Sequence, residues 1–60
     1  MDVAEKQRIK DSLVLMAQKI ATLKTDIDNA SRAGIDTRDL RSQYDKLKTQ
    51  HTLLHSVYGV

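Results

Sequence analysis

Apolar residues recur along the chain at alternating intervals of four and three. Ile9, Leu13, Met16, Ile20, Leu23, Ile27 and Ala30 form one series; Leu40, Tyr44, Leu47, His51, Leu54 and Tyr58 form another. Side chains at this spacing share one stripe of an α-helix, the a and d positions of a heptad. Polar and charged residues fill most of the remaining positions, so the pattern predicts two amphipathic helices, about 4–33 and 37–58. At 1.5 Å per residue they run about 45 and 33 Å.

The two series are separated by Ala30-Ser31-Arg32-Ala33-Gly34-Ile35-Asp36-Thr37-Arg38-Asp39-Leu40. Gly34 stands where a left-handed residue ends a helix, a conformation that costs glycine nothing because it has no Cβ. Ile35 is placed to reach back to Ala30, as in a Schellman ending. Asp36 is expected to cap the second helix, with Asp39 at the capping-box position and Ile35 and Leu40 as a hydrophobic staple. A link this short makes the two helices antiparallel neighbours.

An antiparallel hairpin requires facing residues to keep a constant sum of residue numbers. Six pairs, from Ala30 with Leu40 at the turn to Leu13 with Tyr58 at the open end, do so to within one. The expected fold is therefore all-α, one antiparallel two-helix coiled-coil hairpin spanning 1–60. Ile9 is left without a facing residue, so the first turn is expected to fray or to dock on a partner.

Two helices cannot enclose a core, since each keeps apolar surface toward water. Leu15 on the first helix and Leu53, Val57 and Val60 on the second occupy c and g positions on one side of the seam. These four form a patch near the open end for a partner helix or a second copy, and with Ile9 of the overhanging first turn they are the candidate partner-binding residues. Val14, Ala17 and Ala21 make a thinner stripe on the other side.

Composition narrows the function. The 60 residues include no cysteine, so no disulfide or cysteine-ligated metal is available. Ten basic and eight acidic residues alternate in sign along the chain, and the only aromatic side chains are two tyrosines. A nucleic-acid binder should show a one-signed stripe with stacking platforms, and none is present. No apolar run approaches the roughly 20 residues of a membrane span. Met1 to Lys6 lacks the basic-then-apolar order of a secretory signal, so a cytoplasmic location is expected. His51 and His55 have the i, i+4 spacing of helical metal ligands, but Ala17, Lys19 and Ile20 opposite them supply no third ligand. No nucleophile–base pair, converging carboxylates or glycine-rich loop can be assembled, and neither catalysis nor a cofactor is expected.

The run from Leu23 to Gly34, Gln43-Tyr44 early in the second helix, and the ending Leu53-Leu54-His55-Ser56-Val57-Tyr58-Gly59 carry a family resemblance. Over roughly residues 20–59 the chain resembles the small E-type co-chaperones of type III secretion needle proteins. The resemblance implies a cytoplasmic, non-enzymatic helical hairpin. It would pair with a tetratricopeptide-like chaperone, the two together keeping the needle subunit soluble and monomeric before export. A second, weaker resemblance rests on Ser42-Gln43-Tyr44-Asp45-Lys46-Leu47, which is similar to the Ser-Gln-Glu-Leu-Asp signature of helical-hairpin aspartyl-phosphate phosphatases. Here Gln43 and Asp45 are one residue closer than in that signature, which turns Asp45 by about 100° around the helix.

Overall fold

A computed structural model describes residues 2–59 of the chain. Two helices, α1 (Val3–Arg32) and α2 (Arg38–Tyr58), fold back on each other as an antiparallel hairpin, with no strand among the described residues. The molecule extends 48 × 15 × 12 Å, one helix long, two wide and one thick. Both helices start one residue away from the expected boundary, and α1 also ends one residue earlier.

The seam lies where the heptad pattern puts it. Thr37 apart, every buried or half-buried residue among those described belongs to the two apolar series. Leu13, Leu23 and Ile27 are the most enclosed, each 7% exposed, and no side chain among the described residues is fully buried. At the open end Tyr58 is 42% exposed, the most open member of either series.

The turn is held by backbone hydrogen bonds. Gly34 takes φ +75°, the Ile35 N–H donates to the Ala30 carbonyl at 2.9 Å, and the Gly34 N–H donates to the Ser31 carbonyl at 3.1 Å. These two bonds make a complete Schellman ending and satisfy carbonyls that the helix would leave open. The expected packing of Ile35 onto its neighbours contributes little, since Ile35 is 61% exposed.

The start of α2 differs from expectation in one detail. Thr37, rather than Asp36, is the N-cap, because its carbonyl accepts the first helical bond, from Arg41 N–H at 2.9 Å. Thr37 makes no side-chain cap bond to the backbone; its hydroxyl instead accepts from Arg41 Nε. Asp36 does the capping from one position further out. Its Oδ1 accepts the Arg38 N–H at 3.0 Å, and both carboxylate oxygens engage the Arg38 guanidinium, the shortest contact being 2.7 Å. The capping box expected from Asp39 is not formed; the Asp36–Arg38 unit occupies that role.

The opening turn of α1, expected to fray or to dock on a partner, carries a side-chain cap. Asp2 sits in extended backbone and its Oδ1 accepts the Glu5 N–H at 2.8 Å. The Asp-x-x-Glu spacing of Asp2 and Glu5 is a capping-box signal that the heptad pattern alone does not register. At the far end of α2, Gly59 adopts φ +66° and donates to the His55 carbonyl at 3.0 Å.

An added Cβ at Gly34 would meet nothing within 4 Å, so any cost of replacing it is purely a backbone cost. Gly34→Val should lower stability by about 1–2 kcal/mol, and Gly34→Asn by clearly less, because asparagine tolerates the left-handed region. Thermal melts of the two variants check this, and equal losses would contradict a φ-based cost. Asp36 gives a second test. Hydrogen bonds from the Arg38 side chain, then from its backbone N–H, hold the carboxyl below its usual pKa. A lowered folded-state value stabilises above the unfolded value and is lost as pH falls through the folded one. Wild type should therefore melt slightly above Asp36→Asn near neutrality, and the gap should close below about pH 4. A gap that does not change with pH would contradict the ion-pair contribution.

Candidate partner-binding surface

Seam formation leaves a side of the hairpin on which α2 presents Gln50, Leu53 and Val57 next to the partly covered seam residues Leu54 and Tyr58. These residues, with Met16 from α1, line an open depression of about 440 Å³ between the helices near the open end. Its wall is almost entirely carbon; the Gln50 amide and the Tyr58 hydroxyl are the polar groups its lining residues carry. Leu53 is 57% and Val57 72% exposed. They stand at this groove because Leu47, His51, Leu54 and Tyr58 fix the rotation of α2, and the c and g positions then face sideways.

The remaining candidates fall around this groove in different ways. Leu15 is 66% exposed but is not among the residues lining the groove. Ile9 is half-buried, so despite having no facing residue it is not an open contact. Val60 lies outside the described residues. Val14, on the opposite side, is 57% exposed, and Ala17 and Ala21 are exposed beside it. Sequence reasoning overlooked Gln50, and it assigned Met16, Leu54 and Tyr58 wholly to the seam although they also line the groove.

None of the polar candidates lines the groove itself, although Asp45 shares a neighbouring hollow of about 380 Å³ with Leu53, Lys48, Thr49 and Thr52. His51 is half-buried in the seam and His55 is exposed. Among the described residues no three histidine, aspartate or glutamate side chains are grouped to hold a metal ion. Asp45 is exposed and borders a separate depression of about 280 Å³ with Lys24, Ile27, Asp28, Arg41 and Tyr44. Nearby, the Lys48 ammonium sits 5.6 Å from the Tyr44 ring centroid, a contact of the cation–π kind. Within the described residues no helix is long and apolar enough to cross a membrane. No protein-family model matches the chain, and neither a curated protein nor a solved structure shows significant similarity to it.

An imidazole in an apolar seam makes poor use of its place, because its polar atoms must stay hydrated or find partners. His51→Leu should raise the melting temperature or leave it unchanged, measured without metal and with added zinc. A loss of several degrees, or a zinc-dependent rise that the variant abolishes, would instead make His51 a ligand.

Proposed function

We propose that the chain is a non-catalytic binding hairpin that works by docking a helical protein partner in its open-end groove. The observation that carries this reading is the pair Leu53 and Val57, both more than half exposed at the edge of an almost wholly apolar depression. Contiguous apolar surface with concave shape is what a helix-in-groove contact uses. Covering the part of each side chain still exposed, 57% of Leu53 and 72% of Val57, would contribute about 1–2 kcal/mol each before the costs of association.

The shape of the hairpin leaves it a large surface for its mass. A compact monomer of 6.8 kDa exposes about 3,950 Å² by size scaling, whereas this hairpin exposes 4698 Å². The excess, about 750 Å², follows from the elongation of a body 48 × 15 × 12 Å in extent. A hairpin one helix thick gains most from a neighbour laid along its side.

Within this class, the specific reading is a cytoplasmic co-chaperone of the type III secretion needle kind, paired with a tetratricopeptide-like chaperone. What supports it is the likeness of residues 20–59 to that family, together with an apolar side face suited to a helical repeat partner. A homodimer is the simplest alternative occupant. In the phosphatase alternative, Asp45 rather than the groove would be the working residue.

Co-expression with the host's tetratricopeptide-like needle chaperone, followed by size exclusion with light scattering, tests the proposal. Wild type should co-elute as a heteromer of defined mass. Leu53→Ser combined with Val57→Ser should keep the helical spectrum and a near-wild-type melt, since neither residue belongs to the seam, yet lose co-elution. Asp45→Asn should retain it. Co-elution of the double variant at wild-type yield would make this groove ordinary surface.

A further inference from the structure

The apolar groove does not end at Gln50. Toward the turn it continues into a second depression, of about 200 Å³, lined by Lys19 and Leu23 of α1 and by Gln43, Lys46, Leu47 and Gln50 of α2. The two hollows share Gln50 and follow one side of the hairpin. Their lining residues on that side of α2 are Gln43, Lys46, Gln50, Leu53 and Val57, stepping by three and four. On α1 they are Met16, Lys19 and Leu23, stepping likewise. From Gln43 to Val57 the track is about 21 Å long, enough for roughly four turns of a docked helix.

Its chemistry changes along that length. The open-end half is apolar, whereas the turn-side half carries one lysine from each helix and no acidic residue in its lining. Neither lysine has an ion-pair partner among the described residues, where the single pair is Arg38 with Asp36. The depression on the other side of the seam is different in kind. Lys24 and Arg41 there are matched by Asp28 and Asp45, so that side is locally neutral. The unmatched positive charge is thus confined to the lining of this hollow; Asp26 and Asp39, at the corresponding g and c positions, stand seven residues from Lys19 and Lys46, toward the hairpin turn.

We infer that the occupant of this groove is an amphipathic helix of a partner protein, with apolar anchors seated at Leu53 and Val57 and carboxylates about two turns away, over Lys19 and Lys46. The spacing follows from Leu53 to Lys46, seven residues or about 10.5 Å along α2. The apolar anchors supply most of the affinity, and the lysines fix direction and reject basic helices. A second copy fits less well, because its own matching face brings Lys19 and Lys46 rather than the acidic groups the groove lacks. The assignment rests on the groove being a docking site, and adds the sign of the charge that it reads.

Two synthetic helix-forming peptides test it, both with leucines at i and i+4. One carries a glutamate pair two turns beyond the leucines, and the other carries lysines there. Fluorescence anisotropy with the full chain should show the glutamate peptide binding about tenfold tighter at 50 mM salt, the preference shrinking several-fold at 1 M salt. Lys19→Glu combined with Lys46→Glu should reverse the preference, and the corresponding Gln pair should abolish it. Circular dichroism confirms that each variant is folded. Equal binding of both peptides to wild type, or a preference indifferent to these variants, would overturn the charge assignment while leaving the groove as a docking site. If instead the Leu53→Ser, Val57→Ser variant bound both peptides like wild type, the docking site itself would fall. A homodimer dissolved by that same variant would give the groove to a second copy and overturn the assignment.

Discussion

The contact between α1 and α2 is one stripe wide, and the rest of the molecule is arranged around how little such a stripe can bury. Each helix offers its a and d side chains to the other, while its remaining surface faces water. The outcome is visible in the burial: among the described residues three are left only 7% exposed, none is completely buried, and the body is 12 Å thick. For so small a domain the hydrophobic contribution is modest, and local devices carry unusual weight. The Schellman ending at Gly34, the Asp36–Arg38 unit and the Asp2 cap each satisfy backbone groups that would otherwise weaken a helix end.

How far these features could be read from sequence depends on their physical range. Heptad spacing maps directly onto burial, so Leu13, Leu23 and Ile27 fall where periodicity puts them. Gly34 was legible because only a residue without a Cβ enters the left-handed region freely, and its φ of +75° agrees. Asp36 was identified as a helix-starting side chain, but the cap itself moved to Thr37. The choice between adjacent residues turns on backbone angles and the reach of Arg38, which spacing does not encode. Asp2 was missed even though Glu5 stands three residues later, because the heptad series begins only at Ile9.

The surface was harder to read than the seam. Position labels put Leu15, Leu53 and Val57 on one side, and all three are exposed. They could not show that the concave part is lined by Leu53 and Val57 with Met16 and Tyr58, leaving Leu15 outside it. Nor could they show Ile9 half-covered without a facing residue. Groove shape depends on how two helices splay and on side-chain size at each layer, both properties of the pair and of neither sequence stretch alone. The same is true of Lys19 and Lys46, which are 27 positions apart in the chain and meet along one track only once the hairpin has closed.

An unfinished open end opposite a firmly closed turn is the central physical claim, and it fixes where the isolated chain should open first. Native-state hydrogen exchange, followed amide by amide, measures this directly. Amides of 20–32 and 40–50, flanking the turn and the best-covered seam layers, should exchange most slowly. Those of 3–10 and 53–58 should exchange markedly faster, beside a half-covered Ile9, an exposed Tyr58 and the open groove. Uniform protection along both helices, or slower exchange at the open end than at the turn in the isolated monomer, would contradict the account.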